Sequence, residues 1–590
     1  MTMNRAGTHT TSTAGDVVFA DAASAALLGE SLEAISNPLE AGMEQFKHNP
    51  SRTVYRGVIN GQPVYVKHYH SRTLLHRIRR MLGRFDARHE MEFSLFLAQR
   101  GVQTPRPLAA RWGRGEQWLV TETVAPAEPA DVWHLKRLAE GLPGRRAIQR
   151  ATVALAELFG RMHAAGVVHG DVHCGNVLVR TDSPTLELIL IDLHRARRRR
   201  RVSRRARAAN LAQLFHDRSN FTTRTERLRF LAHYLRASGA EGSLRGWQIM
   251  VEHFTAQHTG HQHTQRDRRA LGTNRYFARI ALADGWRGHV VLASKRRLAR
   301  SQAAEQTFTL DQWHQTLGDL DALLDETTAE RAKKSRSSLV LRRTIRVGDK
   351  DVDVYIKQHR RKRRWKVLLD CFRPSRALRA FRLGHALLTR RIAAALPLVA
   401  LERRVGPFLT DNILITEALT WPRLDDFLAT WLAPQPTGPA RLSARQQHQL
   451  AKEVLWQMGR VLQQLHDNNF AHRDLKASNM FVRWELGQPP EIVLIDLDGL
   501  RRVRRISMRQ RFQGLMRLNV SLLKCPAVNH AGKLRMLLGY LRRPGSGRIH
   551  FKPYWRVLDT WSARKLDQQI RSRRNVQLIR RQQATRETGA

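Results

Sequence analysis

The feature that most constrains the fold of this 590-residue chain is an internal duplication. Four short segments of the first half recur in the second half in the same order, about 290 to 306 positions later. The matching pairs are residues 64–69 with 354–359, 167–179 with 470–482, 188–193 with 492–497, and 227–235 with 533–541. Ordered repetition of this kind indicates that the two halves encode similar folding units. The sequence therefore predicts two domains of one fold, and the chain is also too long for a single hydrophobic core.

Composition suggests where the two domains begin and end. Residues 326–338 are polar and charged and contain no large apolar side chain, so they are predicted to form a linker. The linker separates a first domain at 41–325 from a second at 339–570. Residues 1–40 are predicted to be a loosely ordered leader, and residues 571–590 a basic tail that frays.

Within each half, strand signals come first and helix signals follow. Residues 53–59 and 63–69 are rich in β-branched and aromatic side chains and flank Asn60-Gly61, a dipeptide typical of a β-hairpin. Apolar residues at helical spacing then predict helices at about 87–100 and 151–165. We therefore expect an α+β fold in each half, with a small β-rich lobe followed by a larger helical lobe.

Cysteine content and hydropathy indicate the compartment. Cys174, Cys371 and Cys525 are odd in number and far apart, which argues against a disulfide framework and favours a reducing compartment. The first residues lack the basic-then-apolar order of a secretory signal, and no run of about eighteen apolar residues exists. The sequence predicts a cytoplasmic protein.

The charge balance is strongly basic: 101 Lys and Arg stand against 51 Asp and Glu, for a formal net charge of +50. Such a field attracts polyanions, which include nucleic acids, anionic membranes and phosphorylated substrates. Arginines cluster at 195–207 and 501–505, and a further basic stretch with a tryptophan lies at 360–365. Each cluster is consistent with a solvated surface or with a phosphate- or membrane-binding face. No nucleic-acid recognition motif is present, so nucleic acid is not the expected partner.

The repeated segments contain the residues that phosphoryl transfer from a nucleotide requires. Such a site needs a cation on the phosphates, a metal site and a carboxylate beside the attacking hydroxyl. Asp171 and Asp474 each follow a predicted helix, and Asn176 and Asn479 come five positions after them. This spacing allows the carboxylate to face an incoming hydroxyl while the amide oxygen reaches a metal.

Two further pairs complete the set. Lys67 and Lys357 lie in alternating strands, where an inward-pointing lysine can meet phosphate oxygens. Asp192 and Asp496 end very apolar strands. Because burial of an unpaired charge is costly, we expect a cation or a strong hydrogen-bond donor beside each of them.

The pattern His-x-Asp-x-x-x-x-Asn followed by Ile-Asp resembles the catalytic core of protein-kinase-like enzymes. In the first half, residues 169–173, 87–90 and 101–107 resemble the lipopolysaccharide core kinase (Kdo/WaaP) family more closely. In the second half, residues 375–382 are similar to a helix of family members. The resemblance covers about residues 45–570 and implies two tandem protein-kinase-like folds.

The resemblance also implies cofactors and residue roles. ATP and Mg²⁺ would be the cofactors. Glu90 would be the helix residue that pairs with Lys67, and Glu92 is a less favoured candidate for that role. The implied roles are catalytic bases at Asp171 and Asp474, a phosphate contact at Lys476, nucleotide-phosphate ligands at Lys67 and Lys357, an ion-pair partner of Lys67 at Glu90, hinge residues beside the adenine at Glu122 and Glu417, and Mg²⁺ ligands at Asn176, Asp192, Asn479 and Asp496.

Two departures from the kinase pattern affect these roles. Neither half contains Gly-x-Gly-x-x-Gly, and the hairpins at Asn60-Gly61 and 348–350 are expected to take its place. Ala380 occupies the position of Glu90 in the second half, so that copy is expected to lack the Lys–Glu ion pair. Whether both copies are active, or one is a pseudokinase, stays open.

The resemblance implies an acceptor hydroxyl on heptose or Kdo of the lipopolysaccharide inner core, phosphorylated at the cytoplasmic face of the inner membrane. The partner would be this core or another anionic glycolipid, with peripheral contact to the anionic membrane. No Ala-Pro-Glu follows either Ile-Asp, which favours a sugar or lipid over a peptide. A protein Ser/Thr kinase and a partly inactive scaffold are the alternatives. His258, His261 and His263 have no cysteine or carboxylate at a spacing that would complete a metal site.

Overall fold

The structure is a computed structural model that describes part of the chain. The described residues are 17–49, 51–70, 85–112, 117–182, 185–218, 222–293, 307–335, 338–359, 373–431, 442–523, 525, 528–543 and 549–587. The chain divides into two compact units, residues 1–261 and 262–590. No helix in the described ranges is both long and apolar enough to cross a membrane.

The first unit consists of an N-terminal sheet and a helical lobe. Its strands are β1 (Val17–Phe19), β2 (Glu44–Asn49), β3 (Arg52–Ile59), β4 (Gln62–Tyr69), β5 (Pro107–Arg111), β6 (Trp118–Glu122), β7 (Ala127–Pro129), β8 (Val167–Val168), β9 (Val177–Arg180), β10 (Leu188–Leu190) and β11 (Arg197–Arg198). Its helices are α1 (Ala22–Leu28), α2 (Leu32–Ser36), α3 (Asp86–Ala98), α4 (Ala130–Ala139), α5 (Leu142–Ala164), α6 (Arg204–Arg218), α7 (Arg224–Ser238) and α8 (Leu244–Arg269), which continues past residue 261. The main sheet has the order β1-β5-β6-β4-β3-β2.

The second unit repeats this organisation. Its strands are β12 (Phe277–Ala281), β13 (Trp286–Val291), β14 (Glu330–Ser335), β15 (Ser338–Val347), β16 (Lys350–His359), β17 (Pro397–Val405), β18 (Phe408–Glu417), β19 (Phe470–His472), β20 (Met480–Arg483), β21 (Glu491–Leu494) and β22 (Leu500–Arg502). Its further helices are α9 (Leu310–Leu317), α10 (Leu320–Leu324), α11 (Arg376–Thr389), α12 (Leu424–Trp431), α13 (Ala444–Asp467), α14 (Met508–Leu522), α15 (His530–Leu541) and α16 (Lys552–Glu587). The main sheet has the order β12-β13-β17-β18-β16-β15-β14.

The two sheets share a common five-stranded part. The order β5-β6-β4-β3-β2 in the first unit corresponds to β17-β18-β16-β15-β14 in the second, and all these pairs are antiparallel. In both units the sheet is followed by a mainly helical lobe. The structure therefore confirms the predicted α+β fold, built twice from a small β-rich lobe and a larger helical lobe.

The boundary predicted at 326–338 is wrong. Residues 330–335 form β14, which pairs antiparallel with β15 at the edge of the second sheet. Strands β12 and β13 also belong to this sheet, so the second unit begins well before residue 326. A polar, charged composition is typical of edge strands as well as of linkers, because both face water. Residues 336–337 lie outside the described residues.

The prediction of a loosely ordered leader is wrong for residues 17–40. Strand β1 pairs with β5, with Val17 opposite Arg111. Asp21 caps α1 by accepting a hydrogen bond from the Ser24 amide at 2.8 Å. Leu28 and Ile35 are fully buried in the core beneath the sheet. The segment is ordered because its apolar residues bury surface; residues 1–16 lie outside the described residues.

The basic tail predicted at 571–590 is not a separate segment. Helix α16 runs without interruption from Lys552 to Glu587. Its first half is held to the lobe by Leu558, which is 1% exposed, and by Ser562, whose hydroxyl accepts a 2.9 Å hydrogen bond from Asn519. The basic composition was interpreted as a frayed tail, but Arg and Lys are good helix formers as well as solvated residues. Residues 588–590 lie outside the described residues.

Candidate active site

The structure brings Lys67 and Glu90 together as the sequence predicted. Lys67 Nζ at the end of β4 donates to Glu90 Oε1 of α3 at 2.5 Å. The other oxygen of Glu90 accepts from the Tyr69 hydroxyl. Burial raises the pKa of Glu90, but the charges of Lys67, Arg52 and His194 together outweigh it, so the pKa lies below its usual value. Glu92 is exposed and pairs with Arg88 instead, at 2.8 Å.

Asp192 lies two positions after the end of β10, in a left-handed backbone conformation with φ of 68°. Its two carboxylate oxygens accept from the Arg52 guanidinium at 2.7 and 2.9 Å, and His194 Nδ1 also contacts Oδ1. Burial acts to raise the pKa of Asp192, yet the hydrogen bonds from His194 and Arg52 hold it far below the usual range. The expected donor beside this carboxylate is present, but it is Arg52, which the sequence analysis did not identify.

The loop that carries Asp171 is fixed by a buried histidine. His169 Nδ1 accepts from the Asp171 amide at 3.0 Å, and its Nε2 donates to the Ile191 carbonyl at 3.2 Å. Burial lowers the pKa of His169, which keeps the ring neutral and suits one donating and one accepting nitrogen. Asn176 Nδ2 donates to the Asp171 carbonyl at 2.9 Å, so its amide oxygen is the atom that can serve a metal.

The second loop repeats this arrangement closely. His472 Nδ1 accepts from the Asp474 amide at 3.1 Å, and Asn479 Nδ2 donates to the Asp474 carbonyl at 2.9 Å. Asp496 has φ of 55°, again left-handed. Asp474 and Lys476 are both exposed on the same loop, two positions apart. In the first loop, the side chain of Asp171 is 47% exposed.

The two lysine environments differ. Lys357 Nζ lies 2.7 Å from Asp496 Oδ1 and 2.7 Å from Asp498 Oδ2. Burial lowers the pKa of Lys357, but the two carboxylates outweigh it, so the pKa is raised. Ala380 is the fifth residue of α11, as Glu90 is of α3, and it is 2% exposed. Among the described residues, the Lys357 ammonium therefore contacts aspartates, and the helix position that holds Glu90 in the first copy offers it no carboxylate.

The carboxylates of Glu122 and Glu417, the two residues predicted at the hinge, accept hydrogen bonds from other groups of the protein. Glu122 Oε1 accepts from Arg106 at 2.9 Å. Glu417 is 2% exposed, and its Oε1 accepts from the Leu396 amide at 2.7 Å. Both side chains fix the end of a strand to its neighbour. A role beside the adenine stays a prediction for these two positions.

The hairpin near Lys67 is not Asn60-Gly61. Pairing of β3 with β4 sets Arg52 opposite Tyr69 and Ile59 opposite Gln62, so the Asn60-Gly61 turn lies at the end away from Lys67. Arg52, at the start of β3, marks the opposite end of this strand pair, which is the end near Lys67. The prediction chose Asn60-Gly61 because Asn-Gly is a strong hairpin signal in a sequence, but this turn lies at the end of the β3–β4 pair that is away from Lys67.

The second copy shows the same reversal. Pairing of β15 with β16 sets Ser338 opposite His359, next to Lys357, and Val347 opposite Lys350 at the far end. The predicted hairpin at 348–350 is therefore remote from the lysine. The connection between β14 and β15, residues 336–337, lies outside the described residues.

A buried polar network supports the first loop, and the sequence analysis missed it. Asn210 of α6 donates to the His169 carbonyl at 2.6 Å and contacts His163 Nε2 at 3.0 Å. His163 Nδ1 in turn contacts the Tyr234 hydroxyl at 2.8 Å. The sequence repeat could have revealed the histidine–tyrosine contact, because the corresponding residues His466 and Tyr540 also contact each other, at 2.9 Å, in the second unit.

The basic stretch after Asp192 lies beside the first site. Arg195 Nη1 is 3.9 Å from Asp171 Oδ2, and its side chain is 63% exposed. Residues 197–201 are also exposed. Arg198 places its guanidinium 4.2 Å from the ring centre of Phe96. The basic stretch at 360–365 lies outside the described residues.

Comparison with known proteins agrees with the repeated architecture. The sequence model of the lipopolysaccharide kinase (Kdo/WaaP) family matches twice, at residues 45–234 and 325–540. Lipopolysaccharide core heptose(I) kinase WaaP of Pseudomonas aeruginosa is 34% identical over 161 residues, and the match spans 25% of this chain and only 59% of that relative. A solved structure of WaaP in complex with acyl carrier protein is 26% identical, with a TM-score of 0.33, over 41% of this chain and 98% of that one. The double match confirms the tandem resemblance predicted from the sequence.

Proposed function

The chain belongs to the lipopolysaccharide kinase (Kdo/WaaP) family, and on this premise we propose that it transfers a phosphoryl group from ATP to a sugar hydroxyl of the lipopolysaccharide inner core. Heptose or Kdo carries the acceptor hydroxyl. The observation that carries the proposal is the repeated catalytic loop, in which His, Asp and Asn make the same hydrogen bonds in both units. In the second unit Lys357 contacts Asp496 at 2.7 Å, and in the first unit Glu90 binds Lys67 and lies within 4.8 Å of Asp192.

Mg²⁺ fits the residues present. Asp192 with Asn176, and Asp496 with Asn479, offer carboxylate and amide oxygens, the ligands that Mg²⁺ prefers. Asp192 is held ionised by the cationic groups around it, as a metal ligand must be. Bound Mg²⁺ would neutralise charge on the nucleotide phosphates.

The other residues bind and orient the reactants. Lys67, held by Glu90 at 2.5 Å, presents its ammonium to the α- and β-phosphates. Asp171 and Asp474, whose side chains reach solvent, accept the proton of the sugar hydroxyl as it attacks. Lys476 contacts the transferred phosphate in the second site. Arg52 holds Asp192 in place with both arms of its guanidinium fork.

The short segment after each metal-site aspartate supports a small acceptor. Helix α6 begins at Arg204 and α14 at Met508, each twelve positions after Asp192 or Asp496. This leaves little backbone on which an extended peptide could align. A sugar or lipid hydroxyl requires no such platform.

We place the enzyme at the cytoplasmic face of the inner membrane, as a peripheral protein. ATP is available on that side, and the net charge of +50 favours attachment to anionic lipid and to the phosphorylated core. The exposed arginines at 197–201 follow Arg195, which lies 3.9 Å from Asp171, and would contact this surface.

Mass spectrometry of the lipopolysaccharide core tests the proposal. Deletion of the gene should remove about one or two phosphates from the core, since each site adds one group per acceptor. Wild-type chain should restore them, and a chain with both Asp171→Ala and Asp474→Ala should not. Full restoration by the double variant would favour a scaffold. Transfer of labelled phosphate to protein instead of lipopolysaccharide would favour a protein kinase.

A further inference from the structure

The lysine of the second copy is held by an acid that comes from a different element. In the first unit Glu90 of α3 accepts from Lys67 and from Tyr69, two positions further along β4. In the second unit the helix position is Ala380, which has no acid to offer. The lysine nevertheless has two carboxylates within 2.7 Å.

Asp498 reproduces the contacts of Glu90. Its Oδ2 lies 2.7 Å from Lys357 Nζ and 2.7 Å from His359 Nε2. Lys357 and His359 are two positions apart on β16, as Lys67 and Tyr69 are on β4. The same triangle of acid, lysine and a second donor is therefore present in both units.

The two copies also differ at a second position, which follows the metal-site aspartate. Two positions after the metal-site aspartate, the first copy has His194 and the second has Asp498. Where the first copy has an acid on the helix and a basic group after Asp192, the second has no acid on the helix and an acid after Asp496. The acid that meets the lysine has therefore moved from the helix to the second position after the metal-site aspartate.

Resting on the proposed function, we propose that Asp498 takes the place of the helix glutamate and positions Lys357 for the nucleotide phosphates. The second copy is therefore a competent nucleotide site and not a pseudokinase disabled at Ala380. Asp496 becomes available to a metal because Asp498 retains the lysine. His359, which is 4% exposed, contacts the same oxygen of Asp498 and helps to fix the carboxylate.

The test measures ATP binding in the presence of magnesium by the full chain carrying Lys67→Ala, which isolates the second site. Asp498→Asn should weaken this binding about tenfold or more, because it removes one of the two charges that hold the lysine. Asp498→Ala combined with Ala380→Glu should restore it to within about threefold, since the acid then returns to the helix. Asp351→Asn is the control, because Asp351 pairs with Arg346 on the same hairpin at 3.0 Å but is 61% exposed.

The outcomes separate this inference from the proposed function. Asp498→Asn with undiminished ATP binding overturns the role of Asp498. If Asp498→Asn also lowers thermal stability, the double variant decides: restored binding supports the role, and continued loss overturns it. An absence of binding by the parent Lys67→Ala chain overturns a competent second site. Phosphate transfer by the first site would still stand in either case.

Discussion

Glu90 illustrates how the site depends on single side chains. It is buried, and it holds Lys67 at 2.5 Å and Tyr69 as well. We expect Glu90→Gln to weaken ATP binding at the first site about tenfold to a hundredfold, because a neutral amide no longer attracts the lysine. Titration of a Lys357→Ala chain with ATP measures this change.

Glu92→Gln provides the matched control on the same helix. Glu92 is 58% exposed and pairs with Arg88 across one helical turn, an arrangement that contributes little to stability. ATP binding should be unchanged. Equal losses from Glu90→Gln and Glu92→Gln would show that Lys67 does not depend on its buried partner.

At the residue scale, the sequence identifies candidate functional residues better than it identifies the residues that they contact. Lys67 and Glu90 could be paired because both occupy recognisable motif positions. The contact between Arg52 and Asp192 joins residues 140 positions apart, and no local pattern connects them. Asp498 was hidden for a different reason: its role is apparent only when the two copies are compared and the lysine environment is seen.

At the scale of elements, a buried histidine joins two helices in each helical lobe. Burial lowers the pKa of His163 to about 4 and that of His466 to about 3, from 6.5. The unfolded chain therefore binds protons below pH 6.5 that the folded chain does not, so stability falls as the pH drops through this window. At pH 5 the loss should be about 2 kcal/mol for each histidine.

Urea unfolding at pH 7 and pH 5 measures this loss. His163→Gln should flatten the pH dependence of the first unit while leaving that of the second unit, which retains His466. An unaltered slope in the variant would mean that other groups carry the acid sensitivity.

The contact between α5 and α7 requires a glycine. A Cβ at Gly160 would lie 2.7 Å from Ala237 Cβ, closer than packed atoms approach. We expect Gly160→Ala to destabilise the first unit by about 1–3 kcal/mol. Gly260→Ala on α8 is the control, because no atom lies within 4 Å of the added Cβ, and it should be neutral or slightly stabilising. Thermal unfolding of both variants distinguishes a packing effect from helix propensity.

Element types were predictable, and element ends were not. Alternation and helical spacing indicated the strand pair around Lys67 and the long helix before His169, and both are present. Strand β14 escaped detection because an edge strand and a linker have the same charged composition. Its assignment requires the partner strand β15, which only the folded sheet supplies.

At the scale of the whole molecule, the repeat predicted the architecture, while the division between units followed from packing. The family match of the second copy begins at residue 325, but β12 and β13 precede it and extend the same sheet. Strand β1 extends the first sheet at the corresponding edge. Because each added segment lies outside the repeated motifs, comparison of the two halves could not reveal it.

The basic charge should appear as binding to anionic membranes. Arg200→Glu with Arg201→Glu should weaken binding to phosphatidylglycerol vesicles more than about tenfold, because each basic residue near such a surface contributes about 1 kcal/mol. Arg236→Glu with Arg245→Glu gives the same net charge at other exposed positions and should have a smaller effect. Vesicle co-sedimentation at two salt concentrations measures both. Equal effects would indicate attraction by net charge alone.

The central claim is that each unit forms its own nucleotide site around its lysine. Equilibrium binding of ATP with magnesium to the full chain tests it most directly. We expect about two ATP molecules per chain, about one after either Lys67→Ala or Lys357→Ala, and none after both substitutions. Undiminished binding by the double variant would contradict the account.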